Sequence, residues 1–125
     1  PDDPGGETKW GISKLAHPDL DIENLTFEDA AKIYATEYWP VSGANLLPYP
    51  GCAAVFDTGV NVGPERAKAW VDWGFPEFDY NAYLSKRVNF YIDRIKKKPA
   101  KRKYLAGWMA RIGDLKKFIE IESQN

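Results

Sequence analysis

Residues 79–119 read DYNAYLSKRVNFYIDRIKKKPAKRKYLAGWMARIGDLKKFI, and the periodicity of this stretch sets the fold class. Tyr83, Leu84, Val88, Tyr91 and Ile95 recur at helical spacing, and so do Leu105, Trp108, Ile112, Leu115 and Ile119. Each set lines one face of a helix, and Asp79 is a suitable cap for the first. Between them lie six bases in eight residues, Lys96 to Lys103, broken by Pro99. They read as a solvated turn joining two helices that pack through Val88, Tyr91, Trp108 and Ile112. Working toward the N-terminus, Pro64 suits the first position of a third helix, running through Ala67 and Trp70 to a stop at Gly74. Ala53, Phe56 and Val60 give residues 50–62 an apolar helical face, closed by Gly63. Thr26 precedes Phe27-Glu28-Asp29, an N-cap followed by acids, and Ala30, Ile33, Tyr34 and Tyr38 continue that helix to Trp39-Pro40. Residues 40–50 read as a loop, residues 13–21 as a short turn or one-turn helix interrupted by Pro18, and residues 6–13 as a small β-hairpin. The expected fold is mainly α: five helices with one hairpin at the front.

Composition agrees. The chain has 125 residues, 44% apolar and 28% charged, a single-domain length with an ordinary globular balance. No apolar run approaches the roughly 20 residues that span a bilayer, and no leader is visible. Pro1 in place of Met reads as a start in the middle of something: a trimmed chain, a processed one or one piece of a larger polypeptide. One cysteine, Cys52, and one histidine, His17, exclude an internal disulfide and a zinc cluster. They also exclude Cys–His catalysis unless the two meet. Cys52 reads as a small buried hydrophobe, and His17, before Pro18, as an exposed turn histidine. Of the five Trp, seven Tyr and six Phe some pack the core, but so many Trp in a small domain also suit a binding cleft. Charge divides along the chain. Residues 1–62 hold ten acids against three lysines, and residues 63–125 hold eight acids against fourteen bases. The basic stretch is suited to nucleic acid, anionic lipid or an anionic wall polymer if it binds anything.

Three groups of residues bear on chemistry. In the run from Asp2 to Ile12, Asp2, Asp3 and Glu7 crowd a turn with Thr8, and Gly5-Gly6 admits close backbone approach. Carboxylates across a cleft serve acid–base chemistry on a glycosidic bond, with a polar partner such as Thr8 placing water. A charged surface turn or a weak calcium loop is the plainer alternative. Asp57 and Asn61 stand four apart on one helix face in an apolar setting, where both need hydrogen-bond partners. They pin a loop or touch a ligand; Asn61 is expected to bond the backbone of the Gly-rich loop. Tyr34 and Tyr38 fit the core, while Trp39, at a helix end, is the freer platform for the apolar face of a sugar.

In this order, the residues resemble glycoside hydrolase family 108, the N-acetylmuramidases of phage lysins and prophage regions. Asp3-Pro4-Gly5-Gly6-Glu7-Thr8-Lys9-Trp10-Gly11-Ile12 is similar to the second half of the family's front motif, E-G-G-x-x-x-D-x-x-D-x-G-G-x-T-x-x-G-I. Leu20-Asp21-Ile22, Leu25-Thr26, Ala30-Ala31, Ile33-Tyr34 and Tyr38-Trp39 resemble the next block. Phe56-Asp57, Val60-Asn61 and Gly63-Pro64 resemble F-D-x-x-x-N-x-G-P; Arg87 to Tyr91 and Gly107 to Arg111 resemble R-x-x-F-Y and G-W-x-x-R. Two departures stand out. The family's catalytic Glu lies in the E-G-G element, ahead of Pro1, so no position here carries it. The stretch from Asp72 to Asp79 is also too short for the wall-binding segment that opens with D-G-x-x-G-P in many relatives.

The resemblance implies one lysozyme-like muramidase domain over residues 1–125, with a hairpin beside the cleft. It implies hydrolysis of the β-1,4 bond between N-acetylmuramic acid and N-acetylglucosamine at the bacterial cell wall. An upstream Glu would protonate the leaving oxygen. Asp3 would support oxocarbenium charge or share with Thr8 the placement of water. Gly6, Glu7, Trp10, Gly11, Trp39, Asp57 and Asn61 would line the glycan site. No metal or organic cofactor is called for. The implied partners are peptidoglycan strands and other phage virion or lysis proteins, with no nucleic acid. The alternatives are a non-catalytic wall-binding or virion module of the same fold, and a domain whose basic turn docks on nucleic acid or membrane.

Overall fold

Thr8–Lys9 (β1) and Ile12–Ser13 (β2) pair antiparallel, Thr8 opposite Ser13 and Lys9 opposite Ile12. The computed structural model describes residues 8–73 and 77–123. The two-residue connection, Trp10-Gly11, has φ of +54° and +80°, the signature of a type I′ turn, whose twist matches that of the flanking strands. Glycine is needed at position 11. Its φ is left-handed, and a Cβ there would overlap the Tyr34 hydroxyl.

Phe27–Ile33 (α1) begins with a complete capping box. Thr26 Oγ1 accepts from the Asp29 amide at 3.1 Å, and the Asp29 carboxylate accepts from the Thr26 amide at 3.3 Å. The helix does not run on as α to Trp39, as the apolar stripe implied. Tyr34–Tyr38 form a π turn, with the Trp39 amide bonded back to the Tyr34 carbonyl at 2.9 Å. Pro40 follows at once and has no N–H with which to resume a regular ladder.

The remaining helices are Gly51–Val62 (α2), Pro64–Ala69 (α3), Tyr80–Lys97 (α4) and Leu105–Ser123 (α5), giving five α-helices among the described residues. Asp79 caps α4 by accepting from the Ala82 amide at 3.1 Å. The loop expected over residues 40–50 contains a 3-10 turn, Ala44–Leu46, and the basic stretch winds into a second, Pro99–Tyr104. Pro99 at the start of that turn fixes its own φ and removes an amide that would have had no partner.

Two clusters of buried side chains organise these elements. The larger gathers Ala54, Val55, Tyr83, Leu84, Tyr91, Ile112 and Ile119 from α2, α4 and α5, with Val88 and Trp108 packed against it. The Tyr91 and Trp108 rings stack at 4.8 Å, so α4 and α5 meet through the residues their periodicities pointed to. The smaller cluster joins Ile12 of the hairpin to Ile22, Leu25, Ala30 and Tyr38. Phe56 of α2 packs against both. Cys52 is partly buried against the larger cluster. No helix among the described residues is long and apolar enough to cross a membrane.

Candidate functional site

A groove of about 900 Å³ runs between the hairpin and the helical body. Thr8 and Gly11 of the hairpin line it, with Asn61 of α2, Tyr91 of α4, and Trp108 and Arg111 of α5. The hairpin is tied down from behind. The Tyr34 hydroxyl donates to the Trp10 carbonyl at 2.8 Å, and Lys9 Nζ donates to the Glu23 carbonyl at 3.0 Å. Burial raises the Tyr34 pKa, only partly offset by the positive charge of Arg111, so this hydroxyl remains a donor at neutral pH.

Behind this lining lies a network of charges. Arg87 is fully buried in α4 (0% exposed), and its Nη1 donates to Asp57 Oδ2 at 2.8 Å and to Thr58 Oγ1 at 3.2 Å. Its Nε donates to the Tyr91 hydroxyl at 2.7 Å, and that hydroxyl donates to the Asn61 side-chain carbonyl. From α5, Arg111 Nη2 reaches Asp57 Oδ1 at 3.1 Å, and its Nε lies 3.3 Å from both carboxylate oxygens. One carboxylate thus bridges two guanidinium groups from two helices, giving the buried Arg87 the charged partner that burial demands and leaving the trio with a net positive charge. Asp57 and Asn61 sit four residues apart on α2, and Arg87 and Tyr91 four apart on α4. The two pairs therefore meet in register. Burial also raises the Tyr91 pKa, opposed by Arg87, so its hydroxyl stays protonated and keeps donating.

The consequence for Asn61 is chemical. With its carbonyl taken by Tyr91, its amide NH2 is the group left for the groove. The partner expected for Asn61, the backbone of the Gly-rich loop, falls at Gly5 and Gly6, which lie outside the described residues; the bond seen is the one from Tyr91.

The other sequence candidates divide as follows. Asp3, Gly6 and Glu7 lie outside the described residues. Thr8, Gly11 and Asn61 share the groove. Trp10 is 52% exposed at the hairpin tip, its ring edge-on to Phe27 at 5.3 Å, off the groove lining. Trp39 is exposed and packs edge-on against Phe56 at 5.5 Å, also off the lining. Asp57, 25% exposed, sits one layer back with its oxygens given to the two arginines. Cys52 and His17 do not share the groove, which His17 alone lines.

Three features escaped sequence reasoning. Arg87 and Arg111 were visible as the ends of R-x-x-F-Y and G-W-x-x-R, but not as partners of Asp57. His17 is not an exposed turn residue. Its side chain is 12% exposed, packs near Tyr38, and lies 3.8 Å from Glu37 at the groove edge. Glu37 and Glu65 both line the groove, and after burial and Tyr34 their charges raise the Tyr38 pKa further. The described residues contain no group of three or more His, Cys, Asp or Glu able to hold a metal ion.

A family model, Glycosyl hydrolase 108, matches residues 1–63, half of the chain. The match takes in the hairpin, Asp57, Asn61 and Gly63; the motifs at 87–91 and 107–111 lie beyond it. No curated protein and no solved structure matches.

Proposed function

The chain belongs to glycosyl hydrolase family 108, and from that premise we propose that it is an N-acetylmuramidase acting on peptidoglycan. It is a glycoside hydrolase by family; the muramyl bond, the wall as its place of action and a role in phage lysis are our reading. The observation that carries it is an open groove lined both by the Thr8 strand and by an Asn61 amide whose carbonyl is held by Tyr91. A long glycan strand needs such an open cleft, and the Asn61 NH2 suits a hydroxyl or acetamido oxygen of a bound sugar.

In this scheme a Glu preceding Pro1 is the general acid that protonates the leaving oxygen. Asp3 steadies the developing positive charge on the ring or, with Thr8, positions the attacking water. Gly6, Glu7 and Gly11 shape the loop against the sugar, and the exposed rings of Trp10 and Trp39 extend its binding surface beyond the groove. Asp57 acts on the substrate indirectly, by fixing Arg111 and, through Arg87 and Tyr91, the orientation of Asn61.

The test is clearance of purified peptidoglycan, with the new reducing ends identified. The 125-residue chain is expected to act slowly, and a segment carrying Glu-Gly-Gly before Pro1 should raise the rate by about 10²–10⁴. Full activity of the chain alone would move the acid to Glu7 or Asp3. Binding without cleavage in both forms would make the domain a non-catalytic wall-binding module. Thr8→Val in the extended protein should slow hydrolysis; an unchanged rate would remove Thr8 from water placement.

A further inference from the structure

The groove is electrically two-sided. Glu37 and Glu65 stand with His17 on one side, and Arg94, Lys101 and Arg111 stand on the α4–α5 side. Arg111 is committed to Asp57. Arg94 and Lys101 are different: among the described residues, neither has an acidic partner within ion-pair range. The contrast is local, because Lys97, one turn from Arg94, pairs with Asp93 at 3.1 Å.

Arg94 carries further signs of an unfilled role. Its Nε is buried and makes no hydrogen bond, a state shared among the described residues by Arg87 Nη2 and His17 Nδ1, of which His17 also lines the groove. Its guanidinium rests over the Phe90 ring at 5.3 Å, over which Arg66 also lies at 4.5 Å. Both Phe90 and Arg94 line the groove. Lys101 is held below the usual lysine pKa, first by loss of solvent and then by the neighbouring charges of Arg94 and Lys98. Like charges gathered on one wall repel one another, whereas Arg87 and Arg111 at least share the Asp57 carboxylate.

We propose that Arg94 and Lys101 form an anion subsite for a carboxylate carried on the glycan strand, so that the groove prefers an acidic wall glycan to a neutral one. The inference rests on the glycan-hydrolase reading above and specifies its substrate class. Two sources of that carboxylate share one chemistry: the lactyl ether of the muramyl sugar, and the acidic residues of a peptide attached to it. A planar guanidinium with a free edge is well matched to a carboxylate, and the ammonium adds a second charge without fixing orientation.

The experiment measures binding of three soluble ligands of equal length to the full chain. These are glycan strands stripped of peptide, the same strands with peptides intact, and neutral N-acetylglucosamine oligomers. Acidic strands should bind at least about tenfold tighter than the neutral oligomer, with a preference that shrinks as salt is raised. The stripped and intact strands show which carboxylate is read. Arg94→Gln with Lys101→Gln should bring the acidic-to-neutral ratio close to one, while Arg94→Lys should retain a preference. Lys101→Gln alone, at a half-buried position of the 3-10 turn outside both buried clusters, gives a partial loss with little risk to folding. Equal affinity of the parent for acidic and neutral glycans overturns the subsite and leaves the hydrolase reading standing. Failure to bind any glycan overturns both. Tighter binding of a duplex oligonucleotide than of the acidic strands at the same salt also overturns the proposal, in favour of a nucleic-acid surface.

Discussion

The hairpin and the junction of α2, α4 and α5 face each other across the groove. At the hairpin, position is set by backbone: two residues with positive φ, two cross-strand pairs and a carbonyl gripped by the Tyr34 hydroxyl. At the junction, position is set by side-chain charge: Asp57, Arg87 and Arg111 locked together, with Tyr91 and Asn61 hung from them. The first kind of construction is sensitive to which residues the turn can accept. The second is sensitive to the loss of any one partner. The two sides of one cleft should therefore fail differently under substitution.

The largest effect is expected at the junction. Arg87→Met removes the buried cation that holds Asp57 and Tyr91, and should cost about 3–5 kcal/mol, read as a lowered urea midpoint. A cost below 1 kcal/mol would show that the network is dispensable and that packing alone sets the junction. Next, Gly11→Ala forces a side chain into a left-handed backbone position and against the Tyr34 hydroxyl. It should cost about 1–3 kcal/mol. The paired control is Gly107→Ala in α5, where an added Cβ meets nothing within 4 Å. That change should be neutral or stabilise by up to about 1 kcal/mol. Equal losses at both sites would show that the left-handed backbone at Gly11 carries no special demand for glycine. Asn61→Ala leaves the Tyr91 hydroxyl without its acceptor and should cost about 1–3 kcal/mol. Asn61→Asp, which keeps an acceptor for that hydroxyl but replaces the NH2 facing the groove, should retain more stability than Asn61→Ala and still impair glycan binding.

The smallest effect is none at neutral pH. Tyr34 and Tyr38 on the front side, and Tyr83 and Tyr91 in the body, all have pKa values raised above 10.0, chiefly by burial. Below pH 10 the folded and unfolded states bind the same phenolic protons. Above it the unfolded chain releases them first, so stability falls as pH rises. Thermal unfolding followed against pH should be flat with respect to these groups up to about pH 10 and decline beyond it. Tyrosine absorbance showing these phenols ionised at pH 10 in the folded protein would contradict their burial.

Much of this architecture was legible in the sequence, because local signals decide it. Asp79 before a periodic run, Pro64 after Gly63, and Thr26 three residues ahead of Asp29 each specify a helix end through a bond made within one turn. The π turn was not legible, since the apolar stripe through Tyr34 and Tyr38 fits an ordinary helix equally well. In the site, the shared face of Asp57 and Asn61 followed from their spacing, and so did their need for partners. The partners did not follow. Arg87 and Arg111 stand 30 and 54 residues from Asp57, and nothing local to an arginine on a helix says it will be buried. His17 was misjudged for the same reason: its burial comes from Tyr38 and Glu37, on an element it meets only in three dimensions.

Phe56 belongs to both buried clusters, and its ring meets Tyr34 at 6.0 Å and Trp39 at 5.5 Å. Opening the front of the molecule therefore strips cover from a residue rooted in α2, and loosening α2 withdraws support from the front. The amides of β2 and of α2 should exchange with deuterium in a single cooperative unit, although the hairpin alone is too small to protect itself. Groove width would then be a property of the whole native state and not of a hinged flap. A glycan strand entering the cleft would meet walls that share one aromatic ring between the two buried clusters.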